Sequence, residues 1–316
     1  METIDITEAG NLLKGFNNVA IMFHKNPDGD ALGAAQALCL GLRQQGKQCR
    51  ILNRIDEVPN RFNSFIEKDC FDSDFVYETV IALDLASSEL ICKYLESVKI
   101  NLTIDHHLNC SLEADFGLIN SNAAATCELI YDILIQLKVE INQKIAQSLY
   151  IGIATDTGCF KFQNTTSKTH IVAANLFKAG IDFSKINFDL FDRRTKAQLN
   201  LQNLAFQKLR FFLNGRCAMV LVSKSDMQSC NCCEADFFII TDMIRSIEEV
   251  EIAIAARQVV GGVKFSVRTV AGLSAARFCE QFGGGGHENA AGFEFKGAEF
   301  EQIEAEVLKK MEEFFS

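Results

Sequence analysis

Short, unbroken apolar runs alternate with longer amphipathic stretches along the first half of the chain. Val19 to Phe23 is wholly apolar and ends in the polar loop His24-Lys25-Asn26-Pro27-Asp28-Gly29-Asp30, the pattern of a buried parallel strand. A helix is predicted to follow over Ala31 to Gln45, with Leu32, Ala35, Leu38, Cys39 and Leu42 as its apolar positions and Gly46 placed to stop it. Further strands are expected over Cys49 to Leu52, Thr79 to Leu83 and Asn101 to Ile104, with helical stretches between most of them. That alternation predicts an α/β fold with a mostly parallel sheet flanked by helices. Ala125 to Lys138, Asn142 to Thr155 and Ser167 to Lys178 read as amphipathic helices, the last closed by Gly180.

From Ile181 to Leu213 there is neither Gly nor Pro, and charge, amide and leucine dominate, which suits a helical connector. Strand-like runs (Cys217 to Val222, Glu251 to Ala256, Val263 to Val267) and helical runs (Phe237 to Ser246, Ser274 to Gln281) follow and predict a smaller α/β unit. The expected division is a larger first domain over 1–187, a connector over 188–214 and a second domain over 215–316. A length of 316 residues suits two domains.

Hydrophobic residues at 48% and charged residues at 23% are ordinary for a globular protein. The formal net charge of −10 offers no basic footprint for a long duplex, while a small anionic substrate stays open if cations or a few placed Arg and His reverse the local field. The stretch Met1 to Gly10 carries three acids and no apolar core, so no signal peptide is expected there, and no run is long enough to span a membrane. A cytoplasmic location is expected, with the twelve Cys as reduced thiols. Cys230, Cys232 and Cys233 lack a partner pair at zinc-site spacing and are expected to be structural or incidental.

Four acidic or histidine-bearing spots share one position, the C-terminal end of an apolar strand or helix, where ligands collect in open α/β sheets. They are His24 with Asp28 and Asp30, then Asp84, then Asp105-His106-His107, then Asp156-Thr157-Gly158. Taken singly, each has a plainer explanation: an aspartate after a strand is often a helix cap, and a lone histidine is more often hydrogen-bonded than ligating. Five carboxylates and three imidazoles gathered on one sheet edge would repel and desolvate one another without cations, so a metal site is the economical reading. Oxygen and imidazole donors without thiolate favour manganese or magnesium, and two ions over one.

In this order the motifs resemble those of the DHH phosphoesterases. In the second half, Gly283-Gly284-Gly285-Gly286-His287-Glu288-Asn289-Ala290-Ala291-Gly292 resembles the glycine-rich signature of the DHHA1 domain. Alone, such a run is weak evidence and equally describes a flexible turn; its amides can also form a phosphate nest. Arg268, on a predicted strand, is similar to the family's phosphate-binding arginine, against the alternative of a solvated strand charge.

The resemblance implies an active site between the two domains. One ion would be held by His24, Asp28 and Asp84 and a second by Asp30, Asp84, His106 and Asp156, with Asp84 bridging. His107 would face the substrate phosphate, Asp105 would orient a histidine ligand, and Arg268, Gly284, Gly285, Gly286 and His287 would complete the catalytic and substrate-binding set. In-line attack of hydroxide on phosphorus is implied, with two divalent ions, Mn2+ or Mg2+, as cofactors. The compact layout is most similar to the nano-RNase group, which implies short single-stranded RNA, dinucleotides and adenosine 3′,5′-bisphosphate as substrates, no membrane or long duplex as partner, and leaves a homodimer open. A linear or cyclic dinucleotide phosphodiesterase, an exopolyphosphatase and a nucleotide-sensing binding module are the alternatives; the complete ligand motifs weigh against the last.

Overall fold

The computed structural model describes residues 1–270, 272–297 and 300–315, the side chains at 235, 287 and 300–302 excepted. The chain divides into two units, Met1–Arg193 and Arg194–Ser316. In the first, six strands form an entirely parallel sheet: β1 (Glu2–Thr3), β2 (Asn18–Met22), β3 (Gln48–Ile51), β4 (Thr79–Leu83), β5 (Leu102–Asp105) and β6 (Phe116–Ile119). Their spatial order is β1-β6-β5-β4-β2-β3. The order reverses between β2 and β4, so the chain leaves these neighbouring strands toward different sides and opens a crevice at their C-terminal ends.

The wholly apolar strands are buried on both faces. Val19, Ile21, Ile81 and Leu83 pack into one core, whereas Ala20, Met22, Val80 and Ala82 pack into another. This is the period-two alternation of a strand applied to a sheet covered on both sides. Helices α1 (Ile6–Gly15), α2 (Gly29–Gln44), α3 (Thr126–Gln136) and α4 (Gln143–Asp156) supply the first core, with α5 (Ser167–Phe177) and the short α6 (Phe183–Asn187) beyond them. Across the other face run the 3-10 turns Ser88–Leu90 and Lys93–Leu95 and the loops around them.

The expectation of helical stretches between most of these strands is corrected. Between β3 and β4, and between β4 and β5, the chain makes 3-10 turns and no α-helix. Pro59 cannot donate to a helix continuing through it, and neither interval carries an apolar stripe long enough to stabilise one.

The second unit is a mixed sheet, with α7 (Lys196–Lys208) preceding β7 (Arg210–Phe212) and β8 (Cys217–Val222). Then follow α8 (Lys224–Ser229), α9 (Phe238–Arg245), β9 (Ile252–Val259), β10 (Gly262–Thr269), α10 (Ala275–Glu280), β11 (Gly285–His287), β12 (Ala290–Lys296) and α11 (Phe300–Phe315). The strand order is β11-β12-β10-β9-β8-β7, antiparallel except for the β8–β9 pair. The segment expected as a connector is divided: residues up to Arg193 belong to the first unit, and Leu201 and Ala205 of α7 are buried in the core of the second. Cys230 is buried in that same core, and the Cys232 thiol donates to the Ala197 carbonyl. Among the described residues, no helix is long and apolar enough to cross a membrane, and all twelve cysteines are free.

Helices α2 and α4 must approach closely for the ends of both to reach the crevice. A Cβ on Gly33 would lie 2.3 Å from the Ser148 carbonyl oxygen, so only glycine permits the contact. Gly33→Ala is therefore expected to destabilise the protein by about 1–3 kcal/mol through overpacking. Equilibrium urea unfolding checks this; an unchanged midpoint would mean that the two helices do not need this approach.

Candidate metal centre

The first donors leave the sheet at β2. Both backbone groups of Phe23 are captured by the side chain of Asn53: the Phe23 amide donates to Oδ1 at 2.9 Å and Nδ2 donates to the carbonyl at 3.1 Å. His24 follows, its Nδ1 lying 2.9 Å from the Lys25 carbonyl oxygen. Asp28 caps α2, accepting from the amides of Asp30 and Ala31. Its role as a helix cap and its place near His24 thus hold together. Asp30, in the first turn of α2, is completely buried and accepts from the amides of Thr126 and Cys127, at 2.6 and 2.9 Å, at the start of α3.

Asp84 stands directly after β4 with φ of 52°, in the left-handed region. For a non-glycine residue that conformation costs about 1–3 kcal/mol and persists only where the surroundings enforce it. Asp105 ends β5 and folds back onto His107, accepting from its amide at 2.8 Å and lying 2.6 Å from its Nδ1. Asp105 thus holds His107 through Nδ1, whereas Nδ1 of His106 lies 3.3 Å from the Ala123 carbonyl. An aspartate at a strand end turns naturally onto the amide two residues later, which brings its carboxylate to the second histidine. Asp156 is the last residue of α4.

These residues converge. Nε2 of His24 lies 3.8 Å from Asp28 Oδ1 and 3.7 Å from Asp84 Oδ2. Nε2 of His106 lies 3.1 Å from Asp156 Oδ2, 3.7 Å from Asp84 Oδ1 and 3.9 Å from Asp30 Oδ2. Asp84 thus turns one oxygen toward each group. With Nδ1 of His24 and of His106 on backbone carbonyls, the tautomer protonated at Nδ1 leaves the Nε2 lone pair directed at the carboxylates, the arrangement of a ligating imidazole.

The charges fit a cation. Burial, joined by Asp156 and Asp84, pushes Asp30 well above the ordinary carboxylate range. Burial with Asp28 and Asp84 raises Asp156 to about 6, although His106 works against it. Burial alone would lower the histidines, yet the adjoining Asp28 and Asp84 push His24 up to about 11, and Asp156, Asp30 and Asp84 do the same for His106. Without metal, protons on the imidazoles stand where positive charge is needed. Carboxylate and imidazole donors within 4.8 Å of one another, in the groups His24-Asp28-Asp84 and Asp30-His106-Asp156, can hold a divalent ion.

The remaining candidates lie in the second unit. Arg268, on β10, donates from Nη1 to the Val267 carbonyl at 3.1 Å, and its Nε lies 3.7 Å from Asp242 Oδ1. Residues 287 and 268 both pair with Ala290 of β12 and so share one row across three strands. The side chain of His287 lies outside the described residues. Gly284 and Gly286 are required by the hairpin itself, since a Cβ there would meet the carbonyl oxygens of Gly292 at 2.2 Å and Ala290 at 2.6 Å; Gly285 meets nothing within 4 Å.

Donor-bearing loops at the switch point of a parallel sheet, in a chain with a second mixed-sheet domain, define a two-domain α/β protein with a candidate metal site. The DHH family, N-terminal domain, matches residues 18–153, and the DHHA1 domain matches residues 231–316. The chain is 31% identical over 301 residues to the bifunctional oligoribonuclease and PAP phosphatase NrnA of Thermus thermophilus, covering 93% of this chain and 89% of that one. An exopolyphosphatase-related protein from Bacteroides fragilis shares the fold, with a TM-score of 0.85 at 21% identity over 98% of this chain and 95% of that one. RecJ of Thermus thermophilus in complex with Mn2+ shares it at a TM-score of 0.57 and 14% identity, over 96% of this chain and 54% of that one. The chain belongs to the DHH family, with DHH and DHHA1 domains in that order, and is a hydrolase acting on phosphoester bonds.

Since the adjoining carboxylates push His24 and His106 up to about 11, a cation entering near neutral pH displaces their protons. Apparent Mn2+ affinity is therefore expected to rise with pH through and above neutrality, with protons released on binding. Titration calorimetry in buffers of different ionisation enthalpy checks this; heats independent of the buffer would contradict it.

Proposed function

We propose that this chain is a divalent-metal-dependent phosphoesterase that cleaves short oligonucleotides, nanoRNA and dinucleotides among them, to nucleoside 5′-monophosphates. It also converts adenosine 3′,5′-bisphosphate to AMP. The observation that carries the chemistry is Asp84, with one oxygen toward His24 and the other toward His106. The substrate class is supported by the relative from Thermus thermophilus, whose name joins an oligoribonuclease to a PAP phosphatase.

His24, Asp28 and Asp84 would hold one ion, and Asp30, Asp84, His106 and Asp156 a second. These are too many donors for one hard ion that must also keep positions for water and substrate. Oxygen and imidazole donors suit Mn2+, with Mg2+ the alternative. When bound, the ions supply Lewis-acid polarisation of the phosphoryl oxygens and a water acidic enough to attack phosphorus in line at neutral pH.

The protein's own groups do the rest. His107 is fixed through Nδ1 by Asp105, and Asp105 and Asp84 raise its pKa although burial opposes it, which favours the charged form for facing the transferring phosphoryl group. Arg268 offers a planar fork to a phosphate, and the amides of Gly284, Gly285 and Gly286 together with His287 offer further donors.

Full-length protein with Mn2+, tested against dinucleotides, a five-residue RNA, adenosine bisphosphate, pyrophosphate and polyphosphate, should hydrolyse the first three and leave the last two. Cleavage confined to pyrophosphate or polyphosphate would overturn the substrate assignment. Asp84→Asn should abolish turnover. Arg268→Ala should lower it about 100-fold, the scale of losing one transition-state donor, with Mn2+ affinity unchanged; a matching fall in Mn2+ affinity would remove Arg268 from the substrate set.

A further inference from the structure

We infer that Thr126 is a positioning residue that sets the rotation of the Asp84 carboxylate between the two donor groups, an inference that rests on the proposed metal-dependent reading. Helix α3 begins without the usual cap. Its N-cap is Ala125, which has no side chain to bond the free amides of the first turn. The carboxylate of Asp30, reaching across from α2, takes that place by accepting from the amides of Thr126 and Cys127. The Thr126 hydroxyl, one position too late to cap its own helix, is left to bond elsewhere. It donates to Asp84 Oδ1 at 3.1 Å, in a setting where Thr126 is completely buried and Asp84 only 2% exposed.

One residue therefore holds two carboxylates, Asp30 through its amide and Asp84 through its hydroxyl. The consequence for Asp84 is rotational. Oδ1 is the oxygen that faces His106, at 3.7 Å, and His107, at 3.6 Å, while Oδ2 faces His24 at 3.7 Å. A carboxylate can swivel about its terminal bond, for which the torsional well is broad. With Oδ1 anchored by a buried hydroxyl, Oδ2 is directed at His24. Without that anchor, one carboxylate whose backbone is already in the left-handed region must choose its orientation among three imidazoles. Outer hydrogen bonds of this kind commonly change metal affinity by about 10–100-fold when removed.

Two variants separate this role from packing. Thr126→Val keeps the shape and loses the hydroxyl, while Thr126→Ser keeps the hydroxyl and loses a methyl. Calorimetric titration of each full-length protein with Mn2+ should show affinity lowered about 10–100-fold in Thr126→Val and nearly wild-type affinity in Thr126→Ser. The thermal midpoints of the metal-free proteins should not follow that order. Wild-type affinity in Thr126→Val, or weakening in Thr126→Ser as large as in Thr126→Val, would overturn the positioning role while leaving the metal centre standing. Failure of the wild-type protein to bind Mn2+ would instead overturn the metal-dependent reading, and this inference with it.

Discussion

Buried carboxylates held side by side are the constraint on which the first domain depends. Asp30 and Asp84 are essentially inaccessible to water, and Asp156 reaches the same imidazole that they do. Like charges so placed destabilise a fold unless each is matched. The match comes from several directions: the first amides of α3 on Asp30, the Thr126 hydroxyl on Asp84, and His24 and His106 between the groups. Close packing of α2 on α4 at Gly33 serves the same end, since Asp30 begins one helix and Asp156 ends the other. In the proposed reading, divalent cations would replace protons in this network more than create it.

Strand order explains why these residues meet at all. The chain leaves β2 and β4 at the point where the strand order reverses, which sets the His24 loop beside Asp84 although some sixty residues separate them. Within the second domain, register is what orders the candidate residues. Pairing of both 287 and 268 with Ala290 joins the glycine hairpin and Arg268 into one row. The glycines at 284 and 286 are needed for that hairpin to close, whatever else their amides bond.

Much of this was legible in the residues. Thr79 to Leu83 is a strand with the bounds that its apolar run predicts, and the helices ending at Gly46 and Gly180 are present, both glycines at positive φ. The donors are recognisable because they punctuate apolar runs. Less legible were β1, β6 and β7, which are short or lie at sheet edges, where a few residues leave no clear period. The helix α7 reads as a connector because it is rich in amide and charge, yet Leu201 and Ala205 anchor it in the second core. Which hydroxyl reaches Asp84 is decided by a tertiary contact across a long sequence separation. An alanine at the N-cap position of α3 was the one local sign that a partner for its amides had to come from elsewhere.

Crystals of the full chain grown with Mn2+ and measured at the manganese absorption edge test the central claim most directly. Two anomalous peaks are expected in the first domain, one bonded to His24 and Asp28, the other to Asp30, His106 and Asp156, with the Asp84 carboxylate bonded to both. A single peak, or two peaks with Asp84 bonded to neither, would contradict the shared site from which the chemistry is derived.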